Sequence, residues 1–181
     1  MSRWKLLAPL AAAAVLFGGV LLVRYATSSL DSTSDGTDSH SHIDPLDPHD
    51  SPPEVVACNA ISIMLSWQPG PDTSSWEALH RAAPLLTGQL AATASSPPTP
   101  LPRQVPQWSS WAAARDTVST AVSVLGKPTI RGDTATVTVS ATQTVLHPGG
   151  QITPHRRSVL TVTLAHAENT WRVIRYTEEV R

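Results

Sequence analysis

The sequence has few of the residues that build cross-links and reactive centres. Cysteine occurs once, as Cys58, among 181 residues, which excludes an internal disulfide framework and a zinc cluster built on cysteines. The nucleophile-elbow, zincin, P-loop and dinucleotide-binding motifs are missing from the sequence. From Val55 onward, ten Lys or Arg face seven Asp or Glu, which is well short of the basic footprint of a nucleic-acid-binding domain. We therefore expect no cofactor, no catalytic site and no direct nucleic-acid partner.

One long apolar segment lies near the start of the chain. From Leu6 to Val23 it holds eighteen residues without a charge. A segment of this length can cross a bilayer as a helix, because a helix satisfies its own backbone polar groups. Basic residues are more numerous just before it than just after it, so the positive-inside rule places residues 1–5 in the cytoplasm and the remainder outside. A cleaved secretory signal is the alternative, but residues 26–28 make a poor cleavage site. The sequence thus predicts a retained single-pass anchor in the cytoplasmic membrane.

Residues 24–53 are polar and acidic. They include six Asp and have no Lys or Arg beyond the first residue, so we expect a disordered, solvated linker. His40, His42 and His49 stand among the carboxylates and are candidate ligands of Zn²⁺ or Ni²⁺, since His and carboxylate side chains bind such metals. The alternative is a linker whose histidines titrate freely, because no packed neighbours orient their rings.

The next part of the chain has helical signals. Ser51 and Glu54 show the S-x-x-E spacing of a capping box, and the apolar spacing that follows predicts a helix as far as Trp67. Ser74 and Glu77 repeat the S-x-x-E spacing and predict a second helix through position 83.

A connector and a set of strands complete the chain. A short third helix is predicted over 85–92, and the proline-rich residues 95–108 (SSPPTPLPRQVPQW) are predicted to be extended. Alternation of apolar and polar residues predicts four strands, at 117–125, 134–145, 158–165 and 170–176. Helices followed by strands indicate one α+β domain over 54–181, with helices packed on a four-stranded antiparallel sheet.

Several of these segments together resemble a known group of proteins. The features are PGPDTSSWEALHRAAPLLTGQLAA after the first helix, the proline-rich connector, Trp108 and Trp111 ahead of the strands, and the closing NTWRVIRY. They resemble the membrane-anchored, nuclear-transport-factor-2-like proteins of actinobacteria. That group is similar to the bitopic inner-membrane subunit of type IV secretion and conjugation channels, and to single-span accessory proteins of mammalian-cell-entry lipid transporters. The resemblance implies a cone-shaped domain in which a curved sheet wraps around the helices.

Two classes of function follow from this interpretation. The first is a non-enzymatic scaffold at the membrane, which associates with itself or with other subunits of an envelope transfer complex, with conjugation as the candidate process. The alternative is a small-molecule pocket inside the domain, lipid-binding or weakly catalytic, or the accessory role in a lipid transporter. Trp108 and Trp111 are candidate partner contacts because Trp is favoured at interface hot spots. The bland interpretation, which we take as the default, is that both side chains pack in the core or at its rim.

Overall fold

The computed structural model describes residues 44–179, and in them the helices precede the strands. The helices are α1 (Pro53–Met64), α2 (Trp76–Arg81), a 3₁₀ turn (Ala83–Leu85), α3 (Gly88–Ser95) and α4 (Trp108–Ala114). The strands are β1 (Thr117–Val124), β2 (Thr129–Arg131), β3 (Thr134–Leu146), β4 (Ile152–Ala167) and β5 (Thr170–Glu178). The predicted α+β class is confirmed.

The two predicted capping boxes differ in outcome. At α2 the reciprocal bonds of the box form around Ser74, one residue before the N-cap Ser75: the backbone N–H of Trp76 donates to Ser74 Oγ (3.1 Å), and that of Ser74 donates to Glu77 Oε2 (2.9 Å). At α1 the prediction is wrong, because Pro52 is the N-cap and no side chain caps the helix. The Ser51 hydroxyl instead donates to the Asp47 carbonyl (3.5 Å).

The sheet is antiparallel and has five strands, not the predicted four. Its order is β1-β3-β4-β5, and β2 lies beside β3 as well. β2 escaped prediction because three residues after Pro128 are too few to show an alternation. β4 begins at Ile152, six residues before the predicted start at Ser158, because pairing with β3 continues to Leu146. A bulge between Gln143 and Thr144 accommodates the change of register there.

The alternation in β3 sets the inner face of the sheet, as predicted. Its apolar positions are buried against the helices, and the Thr and Ser positions between them lie on the opposite face. These apolar residues join α1 and the middle of β4 in the main core, which we define by its buried members. They are Val56, Ala57, Ala60, Ile61, Met64, Ala82, Leu85, Leu86, Ala94, Ala135, Val137, Val139, Ala141, Leu160, Val162, Leu164 and Val173.

The end of the predicted linker lies against the domain. The backbone of His49 forms a bridge with Thr170, and Asn59 Nδ2 donates to the carbonyl of Pro45 (3.1 Å). Pro48 is buried and Leu46 packs on the main core. These contacts are made by the last part of the predicted linker 24–53, because its few apolar side chains find a surface to cover.

The predicted membrane anchor and the first part of the predicted linker cannot be compared with the structure. The anchor from Leu6 to Val23 lies outside the described residues. Within residues 44–179, none of the helices has both the length and the hydropathy that a bilayer-spanning segment needs.

Candidate functional site

A cavity of about 400 Å³ lies between the inner face of the sheet and helices α2 and α3. The proline-rich residues 96–107, which we call the strap, form part of its wall through Pro98 and Pro102. The wall is completed by Met64, Leu65, Trp67, Ser75, Trp76, Leu79, Leu90, Thr93, Gln143, Arg156, Ser158, Leu160, Tyr176 and Glu178. Its volume is within the range of about 300–1,000 Å³ typical of small-molecule sites.

The charged groups of this cavity are bonded to one another. Arg156 Nη2 donates to Glu178 Oε1 (2.5 Å), and the Ser158 hydroxyl donates to the same carboxylate oxygen. Burial, and to a lesser degree the negative charge of Glu178, raise the pKa of Tyr176. Gln143 Nε2 donates to the carbonyl of Leu65 (2.8 Å). Arg156, Ser158, Glu178 and Gln143 thus form hydrogen bonds within the protein, and apolar side chains make up much of the remaining wall.

Two aromatic residues of α2 hold α3 in place beside the cavity. Trp76 Nε1 donates to the carbonyl of Thr93 (2.8 Å), and His80 Nδ1 lies 2.9 Å from the carbonyl oxygen of Ala94. The rings of Trp76 and His80 are stacked, with centroids 5.0 Å apart. Carbonyls in the last turn of a helix have no partner within it, so these contacts satisfy the end of α3 and set the width of the cavity.

Trp108 and Trp111 lie inside the domain. Their exposed fractions are 4% and 7%, and the ring centroid of Trp108 is 5.7 Å from that of Trp67. Both belong to a second buried group, the tryptophan cluster, which consists of Trp67, Ala78, Trp108, Trp111, Val118 and Val145. The two side chains therefore pack against neighbours of their own chain and do not present an exposed contact surface.

A hydrogen-bonded row of three side chains borders the tryptophan cluster. His147 Nδ1 lies 2.8 Å from Asp116 Oδ1, and His147 Nε2 lies 2.9 Å from the hydroxyl of Thr153. Asp116 is 5% exposed, whereas Thr153 is exposed. A carboxylate that orients an imidazole next to a hydroxyl is the arrangement that activates nucleophiles. None of the three side chains lines the cavity, and together they tie the β3–β4 turn to the start of β1.

A second imidazole lies next to this row. The rings of His155 and Trp111 meet edge to face with centroids 4.9 Å apart. Burial, and then the nearby charge of Arg156, lower the pKa of His155. Both effects favour the neutral imidazole, whose ring extends the aromatic packing of the tryptophan cluster.

The proposed metal ligands divide between described and undescribed residues. His40 and His42 lie outside the described residues. His49 Nδ1 contacts Asp50 Oδ2 at 2.9 Å, with both side chains largely exposed. Across residues 44–179, His, Cys, Asp and Glu side chains do not gather in a group of three or more that could hold a metal ion.

Sequence reasoning missed the row at Asp116 and the composition of the cavity. Asp116 and His147 are 31 positions apart, and the only local signal was the turn beside His147. The charged pair in the cavity joins Arg156 and Glu178 from two strands, and no motif links them in the sequence. Both arrangements depend on strand register, which fixes side-chain neighbours across a sheet.

Three solved structures are similar to this chain at low identity. Aln2 from a Streptomyces species is 14% identical, over 70% of this chain and 87% of that chain, with a TM-score of 0.44. VirB8 from Agrobacterium tumefaciens is 10% identical, over 67% of this chain and 87% of that chain, with a TM-score of 0.40. An NTF2-like protein with a cystatin-like fold from Novosphingobium aromaticivorans is 17% identical, over 67% of this chain and 77% of that chain, with a TM-score of 0.38. No protein-family model and no curated protein matches the chain.

Proposed function

We propose that the protein is a non-catalytic assembly subunit of a cell-envelope transfer complex of the conjugation or type IV secretion kind. An N-terminal helix anchors it in the cytoplasmic membrane, and the domain works outside the cytoplasm. The class of complex comes from the sequence resemblance described above.

The hydrogen bonds among the charged side chains of the cavity support the proposal that the protein is not a catalyst. A general acid or base must reach the proton of a bound substrate. Glu178, the carboxylate of the cavity wall, already accepts from Arg156 and Ser158. Because this carboxylate is held as half of an ion pair, the cavity is suited to receive an apolar group and not to transfer protons.

The two-layer architecture supports an assembly role. The main core lies between the helices and the inner face of the sheet. On the outer face, the hydroxyl side chains of β3 remain half-buried or exposed, and the described helices do not cover them. A domain with one sheet face packed and the other accessible offers a broad polar surface to neighbouring subunits, on which Arg157 and Arg175 stand beside the hydroxyl side chains.

Crosslinking in native membranes tests this proposal. The full-length chain carries a C-terminal tag, the membranes are crosslinked, and the proteins recovered with it are identified by mass spectrometry. A single-span membrane protein with the same tag is the control for non-specific recovery. We expect secretion-channel or transporter subunits, and their identity separates conjugation from lipid transport. Recovery of the chain alone, crosslinked not even to itself, contradicts the proposal.

A second candidate function is the binding of a lipid-like molecule in the cavity. Its wall is mostly apolar through residues such as Leu79, Leu90 and Leu160, and the Arg156–Glu178 pair offers a polar group at one side. An amphipathic ligand with one polar end matches such a site.

A fluorescent long-chain fatty acid added to the purified full-length chain tests this alternative. Leu90→Trp fills part of the cavity and is expected to weaken binding of the probe about tenfold. Leu101→Trp introduces the same side chain on the exposed part of the strap, outside the cavity wall, and serves as the matched control. Equal binding by both variants removes the cavity as the site.

A further inference from the structure

β1 and β2 lie end to end along one side of β3. β1 pairs with residues 139–146 and β2 with residues 134–136, while β4 occupies the other side of β3. The side of β1 that points away from β3 is therefore an edge of the sheet, which we call the β1 edge.

The first half of the β1 edge is covered by the end of α1 and the residues that follow it. Trp67 and Val118 exchange two backbone hydrogen bonds of 2.9 Å. The backbone N–H of Thr120 donates to Ser66 Oγ (3.0 Å), and its carbonyl accepts from the Ser62 hydroxyl (2.8 Å). Two consecutive outward-facing residues of β1 are thus fully bonded.

The second half of the β1 edge is open. Backbone groups alternate in direction along an antiparallel strand, so those of Val122 and Val124 point the same way as those of Val118 and Thr120. Within residues 44–179, no other group bonds to the outward N–H and C=O of Val122 and Val124. An unpaired strand edge is a template for pairing with another strand.

We infer that residues 121–125 pair with the same residues of a second copy of this chain. In an antiparallel pairing about a two-fold axis at Ser123, Val122 of one copy lies opposite Val124 of the other, and each such pair exchanges two hydrogen bonds. Ser123 then faces Ser123 of the other copy at a non-hydrogen-bonded position, where Cα atoms are about 4.5 Å apart. This inference rests on the proposed assembly function and names one of its surfaces.

Charge and exposure favour a second copy as the occupant. Residues 117–126 (TVSTAVSVLG) contain no charged side chain, so two copies meet without like-charge repulsion. Leu125 is 44% exposed, and in this register it covers the exposed Ala121 of the other copy. Lys127 and Pro128 follow immediately, and such residues limit strand pairing at sheet edges. The pairing is therefore confined to the stretch between the Trp67 bridge and Lys127.

Disulfide trapping in the full-length chain tests the inference. Cys58 is replaced by Ser so that the native thiol is removed, and Ser123→Cys is added to this background. At about 4.5 Å between Cα atoms, the two thiols are within reach of a disulfide. Mild oxidation of the membranes is expected to convert most of the chain to a covalent dimer on a non-reducing gel.

Ser140→Cys in the same background is the matched control. Ser140 is the register partner of Ser123 on β3 and shares its face of the sheet, but it is one strand further from the axis. With strands about 4.8 Å apart, its Cα is about 14 Å from its counterpart, which is beyond disulfide reach. Equal trapping of the two variants, or trapping of Ser123→Cys on a different protein, overturns the inference.

A charge substitution gives an independent measurement and separates this inference from the proposed function. Ala121→Lys puts a charge on the open stretch and is expected to lower dimer trapping at least fivefold, whereas Ser109→Lys on the exposed side of α4 leaves it unchanged. Unaltered trapping by Ala121→Lys overturns the inference. If envelope subunits still co-purify with a chain that does not trap, the self-pairing fails and the proposed function stands; if the subunits are also missing, both fail.

Discussion

The two buried clusters of this domain are built from different materials. The main core consists mainly of small and branched aliphatic side chains from α1, from residues 82–94 and from strands β3 to β5. The tryptophan cluster contains three indole rings, and two buried carboxylates stand at its border. Asp72 and Asp116 are each 5% exposed, and each is paired, with Arg81 and with His147 respectively.

Because of this difference, we expect the two clusters to be stabilised by different interactions. Burial of apolar area, at about 25 cal/mol per Å², accounts for the main core. The tryptophan cluster also requires that its bordering carboxylates keep their partners, because an unpaired buried charge is costly. We therefore expect the tryptophan cluster to open more readily than the main core, as a local event.

The largest expected effect is that of Trp108→Ala. Deletion of a buried Trp side chain costs about 3–5 kcal/mol, and Trp108 is 4% exposed and contacts Trp67. Urea unfolding followed by circular dichroism measures the loss. Hydrogen exchange is expected to rise mainly in α4 and the first half of β1. A uniform rise over the whole sheet would show that the tryptophan cluster is not a separate unit.

Leu164→Ala tests the main core with the same measurements. Leu164 is fully buried, and a buried Leu→Ala substitution costs about 2–5 kcal/mol. Here hydrogen exchange is expected to rise across α1 and strands β3 to β5 together. Leu125→Ala, at a 44% exposed position, is the control and should change the unfolding free energy by no more than about 0.5 kcal/mol.

The main core was predictable from sequence and the tryptophan cluster was not. Alternation along β3 assigned Val137 and Val139 to the inner face, because a strand has a fixed period of two. The seven-residue helix α4 places Trp108 and Trp111 three positions apart, hence on one side, and this spacing fits a buried side as well as an exposed one. Only the tertiary contact between Trp108 and Trp67 shows that this side of α4 is buried.

The hydrogen-bonded pairs of polar side chains were likewise predictable only where both partners are close in sequence. The Ser74–Glu77 box was predictable because both partners lie within one turn of chain. The pair of Asp116 and His147 spans 31 positions and the cavity pair of Arg156 and Glu178 spans 22, so each exists only once the strands are in register. Local signals thus predicted most of the longer helices and strands but not β2 or α4, whereas the candidate site depends on contacts that exist only in the folded chain.

Arg81→Met tests the first polar border of the tryptophan cluster. Arg81 donates to both carboxylate oxygens of Asp72, at 2.6 and 2.9 Å. Its loss leaves Asp72 with the backbone N–H of Gln68 and is expected to cost about 1–3 kcal/mol, since Arg81 itself is partly solvated. The double variant with Asp72→Asn should cost less than the two single losses added together. Strict additivity would mean that the pair contributes nothing. Arg103→Met on the exposed strap is the control.

His147→Ala tests the second border. The substitution removes the hydrogen bond to buried Asp116 and is expected to cost about 1–2 kcal/mol. His147→Gln retains a hydrogen-bond donor and should recover part of this loss. Thr153→Ala, at an exposed position, should lower the unfolding free energy by less than either His147 variant. If His147→Ala left the unfolding free energy unchanged, the burial of Asp116 would not require this hydrogen bond. The proposed difference in how the two clusters are stabilised would then fail at this border.

The smallest expected effect concerns pH and lies at the start of α2. Burial raises the pKa of Glu77, but hydrogen bonds from Thr73 and from Ser74 outweigh it and lower that pKa from 4.5 to about 2. Because the folded chain holds the ionised form more strongly than the unfolded chain, this contribution to the unfolding free energy is complete above about pH 4.5 and is lost as the pH falls toward about 2.

Glu77→Gln weakens the capping box, at a cost of about 0.5–2 kcal/mol at pH 7, and the difference in unfolding free energy from the native chain should shrink on acidification. Glu168→Gln, in the exposed β4–β5 turn, controls for general loss of carboxylate charge. A difference that stays constant from neutral pH to about pH 2.5 would show that the stability of α2 does not depend on the charge of Glu77.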